Sequence, residues 1–144
     1  MKTILIVDDE KNIVSGLEEA FTLESYNVLT AYDGKEAWDK VNTNNVDLVI
    51  TDLRMPMMNG NELVEKISSS YPTLPVIVLT GHGTIETAVE SMRRGAVDFF
   101  TKPVDLDKLF LVVKKCLANS ELQEQNKKLT EEIEKLKNQQ KYSK

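Results

Sequence analysis

Five short apolar runs alternate, over the first 118 residues, with segments in which apolar residues recur every three or four positions. The runs are rich in Val, Ile, Thr and aromatic residues, which is typical of buried strands. They predict strands at residues 3–7, 28–32, 46–51, 76–80 and 96–101. The helical spacing between them predicts helices at about residues 10–24, 34–43, 60–70, 84–94 and 105–118.

This order of elements predicts the fold class. Strands that alternate with helices of this length favour right-handed crossovers and a parallel sheet with helices on both faces. The first, third and fourth strands are almost continuously apolar, as strands buried on both faces are. We therefore predict an α/β fold with a doubly wound, five-stranded parallel sheet and an extended C-terminal helix. In such open sheets, functional groups gather at the carboxyl ends of the strands.

Composition and charge narrow the function classes. The chain has no run of about 18 apolar residues, and MKTILIVDDE is too short an apolar start for a secretory signal. The lone Cys116 excludes a disulfide framework or a cysteine-rich metal site within the chain. We expect a cytoplasmic protein that does not contact a membrane.

The net charge of −5 is unevenly distributed along the chain. Residues 119–144 hold six Lys and five Glu, which gives +1, so residues 1–118 carry −6. Because nucleic acid binding requires a basic surface, we do not expect direct contact between this segment and nucleic acid.

The predicted strands end on polar residues that together form one coherent chemical set. Asp8 and Asp9 follow the first strand, and Asp52 follows the third. The fourth strand ends on Thr80, and Lys102 follows the fifth. Three neighbouring carboxylates resist ionisation beside one another. A divalent cation removes this conflict, and Mg²⁺ prefers such oxygen ligands, so we predict Mg²⁺ at this edge of the sheet.

Asp52 follows a buried strand, where an unpaired carboxylate would be costly. Beside Mg²⁺ and Lys102, it is placed to attack a phosphorus atom and form an aspartyl-phosphate. Thr80 is expected to donate its hydroxyl to the phosphoryl group. Each acid taken alone has an alternative role as a helix cap or first-turn residue, but the set as a whole favours phosphoryl transfer.

Four stretches, in order along the chain, resemble the receiver domain of two-component response regulators: ILIVDDE, DLVITDLRMPMMNG, VIVLTGHG and GAVDFFTKP. The resemblance covers residues 1–118 and implies a flavodoxin-like, CheY-like fold. It also implies that Asp52 is the phosphoacceptor and that the donor is a phosphohistidine on a partner sensor histidine kinase.

The resemblance further implies roles for the residues around Asp52. It implies that Mg²⁺ is held by Asp9, Asp52 and the backbone carbonyl of Arg54, with Asp8 joined through water. It implies that Thr80 and Lys102 contact the phosphoryl group.

Phe99 lies where the family has its switch aromatic, three residues before the lysine. Many relatives have Tyr there, and Phe lacks the hydroxyl that would find a hydrogen-bond partner. The packing part of the switch remains possible, because movement of Thr80 toward the phosphoryl would open space for the ring. Plain packing is the alternative for Phe99, and it is our expectation for Phe100, which alternates to the opposite face of its strand.

Two further residues are candidates for setting the lifetime of the phosphate. Arg54 and His82 lie two positions after Asp52 and Thr80. We predict that both flank the mouth through which the hydrolytic water enters. For the only histidine, a metal-ligand or phosphohistidine role is less favoured than that of an ordinary loop residue.

The last 26 residues, 119–144, predict a helical linker with a heptad pattern and no Pro or Gly. Position a holds Asn119, Asn126 and Ile133, and position d holds Leu122, Leu129 and Leu136. This pattern predicts a parallel coiled coil, and hence a homodimer that also uses the surface of the fourth helix, fifth strand and fifth helix. One extended, solvated helix is the alternative, because three heptads are marginal in isolation.

The stretch TGHGTIETAVESMRRGAVDFFTKP, followed by an LxxxNxxL helix, most resembles receivers of the NtrC-type class. In that class an AAA+ ATPase and a DNA-binding module follow the receiver. Residues 1–144 hold no GxxxxGK[ST] loop and no basic recognition helix. We therefore expect the output domain to lie outside this chain.

These observations predict a signalling switch that controls a C-terminal output in transcription, rather than an enzyme that turns over an external substrate. A phosphohydrolase of the haloacid dehalogenase type is one alternative. It is disfavoured because Arg54 stands where those enzymes place a second Asp. A phosphate-independent dimerisation module is the other.

Overall fold

Five strands and five helices alternate along the chain, as the apolar pattern predicts. The computed structural model describes residues 1–142, so residues 143 and 144 of the predicted linker lie outside it. The strands are β1 (Thr3–Val7), β2 (Asn27–Ala31), β3 (Leu48–Thr51), β4 (Val76–Thr80) and β5 (Asp98–Thr101). The helices are α1 (Lys11–Leu23), α2 (Gly34–Thr43), α3 (Gly60–Ser70), α4 (Ile85–Arg94) and α5 (Leu106–Tyr142).

All five strands are parallel and lie in the order β2-β1-β3-β4-β5. From β1 the chain passes to β2 at one edge of the sheet and then crosses over β1 to form β3 on its other side. The direction of strand order therefore reverses between β1 and β3. Ligands of doubly wound folds bind at this switch point. The register pairs Val7 with Thr51, which places the residues after β1 and β3 side by side. The predicted fold class is confirmed.

Alternating strand side chains build a separate core on each face of the sheet. Leu5 and Val7 contribute to the core beneath α2 and α3, whereas Ile4 and Ile6 contribute to the core beneath α1 and α5. Full burial of one such side chain stabilises the fold by about 1.5–3 kcal/mol. Phe99 packs against the first core and the neighbouring Phe100 against the second, so their rings lie on opposite faces.

The predicted starts of two strands were too early. β3 begins at Leu48 rather than residue 46, and β5 begins at Asp98 rather than residue 96. Before β3, the side chain of Asp47 accepts a hydrogen bond from the backbone of Thr3 at 2.8 Å. Before β5, Gly95 has a φ of 121° and closes α4, since the next amide bonds back to Ser91 at 3.0 Å. The residue just before each strand already bonds to a neighbouring strand: Asp47 N–H donates to the carbonyl of Thr3 at 2.9 Å, and Val97 N–H donates to the carbonyl of Val76 at 2.8 Å. Regular pairing then runs from Leu48 and Asp98 onward.

The fifth helix does not end at residue 118 as predicted. It continues unbroken from Leu106 to Tyr142, through a segment that contains no Gly or Pro. Among residues 1–137, whose burial the structure describes, Leu117 is the last buried residue. Ser120 then donates a hydrogen bond to the carbonyl of Thr73 at 2.6 Å. The extended C-terminal helix of the predicted fold is confirmed. Within residues 1–142, no helix combines the length and the apolar character needed to cross a bilayer.

Candidate phosphoacceptor and metal site

Three carboxylates converge at the carboxyl edge of the sheet. Asp8, Asp9 and Asp52 each place an oxygen within 4.8 Å of the others. Asp8 and Asp52 are only 3% and 4% exposed, whereas Asp9 is exposed. The sheet register brings the ends of β1 and β3 together, and this explains how residues 44 positions apart in the chain share one pocket.

Lys102 reaches into this cluster from the end of β5. Its Nζ lies 2.6 Å from Oδ2 of Asp8 and 3.3 Å from Oδ2 of Asp52. Burial acts to lower the pKa of Lys102, but the hydrogen bond to Asp8 and the charge of Asp52 hold that pKa above its ordinary value. The lysine therefore remains a cation in the pocket.

One lysine does not neutralise three carboxylates. Burial raises the pKa of Asp8 above its ordinary value, although the hydrogen bond from Lys102 acts in the opposite direction. The pKa of Lys102 is raised because two carboxylates lie beside it. The pKa of Asp8 is raised because its carboxyl is buried, shares the lysine with Asp52 and is repelled by the charge of Asp52. The pocket thus has a deficit of positive charge and a set of carboxylate oxygens. This donor set fits Mg²⁺.

The alternative that these acids are helix caps does not account for Asp9 or Asp52. The N-cap of α1 is Glu10, which makes no side-chain cap hydrogen bond, and the N-cap of α3 is Asn59. Asp8 does accept a hydrogen bond from the amide of Glu10, at 3.0 Å. Asp52 bonds to its own following amide instead: Oδ1 accepts from Leu53 N–H at 2.7 Å.

Thr80 is completely buried at the end of β4. Its hydroxyl oxygen accepts a hydrogen bond from the amide of His82 at 3.2 Å, and its carbonyl accepts one from the amide of Lys102 at 2.9 Å. The peptide bond after Lys102, to Pro103, is cis. These contacts join the ends of β4 and β5 beside the acidic cluster. The phosphoryl contacts of Thr80 and Lys102 stay a prediction.

Arg54 and His82 line the same surface depression, together with Leu53 next to Asp52. Both side chains are exposed, and among the described residues that line this depression none is acidic. The two candidates for setting phosphate lifetime are thus brought together. The ligand role of the Arg54 carbonyl stays a prediction.

Two glycines of the site were missed by the sequence analysis. A Cβ on Gly60 would lie 2.1 Å from the carbonyl oxygen of Asp52, so α3 starts in direct contact with the backbone of that residue. A Cβ on Gly83 would lie 2.2 Å from Cγ2 of Thr101 and 3.1 Å from Cε1 of Phe99. The loop after β4 therefore rests on the Phe99 ring. Their signals in the sequence are the MNG and GHG stretches.

Binding of Mg²⁺ is expected to stabilise the folded chain because the unfolded chain lacks the assembled pocket. At ten times the Kd, the free energy of unfolding should rise by about 1.4 kcal/mol. Urea denaturation with and without MgCl₂, at constant ionic strength, measures this gain. Asp9→Asn should remove most of it, and Asp39→Asn, an exposed change on α2, should not. Equal stabilisation of wild type and Asp9→Asn would contradict the metal site.

Comparison with known proteins agrees with this geometry. The family described as "Response regulator receiver domain" matches residues 4–114. The transcriptional regulatory protein GlrR of Escherichia coli (strain K12) is 42% identical over 117 residues, which are 81% of this chain and 26% of that protein. The regulatory protein AtoC of the same strain is 40% identical over 114 residues, 79% of this chain and 25% of that protein. The chain spans about a quarter of the length of these curated relatives.

Solved structures show the same relationship. The structure of NtrX from Brucella abortus superposes on this chain with a TM-score of 0.82 at 36% sequence identity. The superposition covers 90% of this chain and 30% of the NtrX chain. A CheY-like receiver domain protein from Methanospirillum hungatei JF-1 gives a TM-score of 0.82 at 32% identity, over 85% of this chain and 98% of that chain. The predicted likeness to NtrC-type receivers is confirmed. With its fold, its clustered acids and these matches, the chain belongs to the response regulator receiver domain family.

Proposed function

We propose that this chain is a phosphorylation-driven switch, in which Asp52 accepts a phosphoryl group from a phosphohistidine of a sensor histidine kinase. The observation that carries the proposal is the pocket itself. Two buried carboxylates share one lysine, and a third carboxylate lies at the rim. A site built only for stability would not leave this excess of buried negative charge, since unpaired buried charge is costly.

The residues have separable roles in the proposed transfer. An oxygen of Asp52 attacks phosphorus as the phosphorus–nitrogen bond of the donor breaks, and the imidazole leaves with the bonding electrons. Lys102 holds a positive charge beside the acceptor, and Thr80 supplies a hydroxyl for the product. Asp9, Asp52 and the Arg54 carbonyl would hold Mg²⁺, with Asp8 joined through water. Bound Mg²⁺ supplies charge neutralisation for the phosphoryl oxygens.

Phosphorylation would then shift an equilibrium between two conformations. Movement of Thr80 toward the phosphoryl would change the loop through Gly83, which already contacts the Phe99 ring. This loop leads into α4, whose only buried residue is Ser91. Since α4 buries no apolar side chain, we infer that it is the element that moves.

The surface of α4, β5 and α5 is our proposed dimer interface. It exposes apolar side chains that a monomer would leave in water: Ile85, Val89, Met92, Val97 and Leu111. Leu111 lies eleven residues before Leu122, about three helical turns, so the two side chains lie on the same side of α5. The apolar side of the predicted coil therefore continues onto the receiver. This continuity supports one interface along α5 from Leu111 to Leu136.

The linker part of α5 carries the proposed coiled coil. Leu122, Leu129, Ile133 and Leu136 are all between 51% and 59% exposed. A parallel pair of these helices would bury them and hold two receivers side by side. We propose that phosphorylation alters this packing and so controls a C-terminal output, an AAA+ ATPase that activates transcription.

Incubation with Mg²⁺ and acetyl phosphate, followed by intact-mass measurement, tests the proposed function. One added phosphoryl group per chain supports it, and no added mass contradicts it. A phosphate-independent dimerisation module would gain no mass. A phosphohydrolase would instead release phosphate steadily from small phosphate esters. Arg54, which is exposed and basic, cannot serve as the acid of such a hydrolase.

Small substitutions at the mouth of the pocket are expected to shorten the life of the phosphate. Arg54→Ala and His82→Ala should hydrolyse the aspartyl-phosphate about three- to tenfold faster, because water enters more freely. Phosphorylation itself should persist. A phosphate-release assay on the purified phosphoprotein measures the rate, and Lys35→Ala, a change at an exposed position of α2, is the control. Unchanged lifetimes in both variants would remove this role.

A further inference from the structure

The last residue of β3, Thr51, places a hydroxyl in an otherwise apolar buried strand. Thr51 is completely buried, as is Val49 on the same face of the strand. Valine has nearly the same shape and is equally suited to strands, so strand propensity does not explain the hydroxyl. The hydroxyl donates a hydrogen bond to the carbonyl oxygen of Asp52 at 2.9 Å. The hydroxyl also lies 3.9 Å from Sδ of Met55, which is a weaker acceptor, so its main partner is the backbone carbonyl of the proposed phosphoacceptor.

The peptide unit between Asp52 and Leu53 connects this hydroxyl to the Asp52 carboxylate. The carbonyl of that unit accepts the hydrogen bond from Thr51. The N–H of the same unit donates to Oδ1 of Asp52 at 2.7 Å. Because a peptide unit is planar, a group that fixes the direction of its carbonyl also fixes the direction of its N–H.

The start of α3 also lies against the same peptide. Gly60 approaches so closely that a Cβ would lie 2.1 Å from the Asp52 carbonyl oxygen. The amide of Gly60 also donates to the carbonyl of Leu53 at 2.8 Å. The glycine restricts the space around this peptide, and the Thr51 hydroxyl supplies the directional bond within it.

We propose that Thr51 is a positioning residue for Asp52. Its hydroxyl holds the peptide between Asp52 and Leu53 in the orientation in which the Leu53 N–H donates a hydrogen bond to Oδ1 of Asp52. The other carboxylate oxygen, Oδ2, is then directed to Lys102 at 3.3 Å. The benefit to phosphoryl transfer rests on the proposed function of Asp52. The geometric part, in which Thr51 orients the Leu53 amide, does not.

The geometric part is tested by NMR on the metal-free protein. In Thr51→Val, the Leu53 amide should lose part of its hydrogen bond and exchange with solvent about fivefold faster, as loss of one net hydrogen bond implies. Thr51→Ser should restore the wild-type rate because it keeps the hydroxyl. An unchanged Leu53 amide in Thr51→Val would overturn the inference.

The functional part is tested by the rate of mass gain with acetyl phosphate and Mg²⁺. Thr51→Val should be about five- to tenfold slower than wild type, in keeping with one hydrogen bond, and Thr51→Ser within about twofold. Val49→Ala, which opens a cavity in the same strand, controls for destabilisation and should keep the wild-type rate. Equal slowing in Val49→Ala and Thr51→Val, or failure of Thr51→Ser to restore the rate, would overturn positioning. If the wild-type protein gains no mass, the proposed function fails. The exchange rate of the Leu53 amide in Thr51→Val then decides by itself whether Thr51 orients this peptide.

Discussion

Replacing Asp52 with Asn is expected to reduce phosphorylation by acetyl phosphate at least about 1,000-fold, because the amide lacks the nucleophilic carboxylate. The side chain keeps its size, so the buried position at the end of β3 can still be filled. Intact-mass measurement after incubation with Mg²⁺ and donor gives the extent of modification. We expect the full added mass in wild type and background levels in Asp52→Asn.

Two controls separate this effect from general damage. Asp39→Asn makes the same chemical change on the exposed side of α2 and should phosphorylate like wild type. Thermal unfolding of Asp52→Asn should remain cooperative, which shows that the domain is folded. Full modification of a folded Asp52→Asn protein would contradict the assignment of the acceptor.

Replacing Leu129 with Lys is expected to weaken self-association about 100-fold or more, equivalent to about 2.7 kcal/mol. Leu129 lies at a central d position of the predicted coil and is 56% exposed in the single chain. In a dimer, the new ammonium would be desolvated in the seam beside its copy. Sedimentation equilibrium over a range of protein concentrations measures the dissociation constant.

A lysine on the outer face of the same helix is the matched control. Glu131→Lys lies at an f position, which a parallel coil leaves in solvent, and it should associate nearly as wild type does. Equal dissociation constants for wild type and Leu129→Lys would contradict the coil. In that case, the alternative of a solvated extended helix would account for the tail.

The position of the pocket is predictable from the sequence because the carboxyl ends of strands in a parallel sheet share one edge. Five parallel strands place the acids after β1 and β3 at the same edge, and the observed pairing of β1 with β3 makes them neighbours. The charge of those residues then indicated a cation. Nothing in the spacing could show that Lys102 bonds to both Asp8 and Asp52, since this depends on the path of the chain after β5.

Other features could not be predicted from the sequence because they depend on contacts between elements of the fold rather than on the pattern of apolar and polar residues. The exact starts of β3 and β5 depend on backbone hydrogen bonds to the neighbouring strands, which the residue pattern does not show. The close approach of Gly60 to the Asp52 carbonyl requires the folded position of α3. The heptads predict the helical linker, but the change of composition at residue 118 suggests a helix boundary that α5 does not have.

Mapping the phosphate in the wild-type protein tests the central claim most directly. Borohydride reduces an aspartyl-phosphate to homoserine, which marks the modified residue permanently. After phosphorylation, reduction and digestion, peptide mass spectrometry should find homoserine at position 52 and aspartate at positions 8 and 9. Homoserine at Asp8 or Asp9, with Asp52 unchanged, would contradict the account.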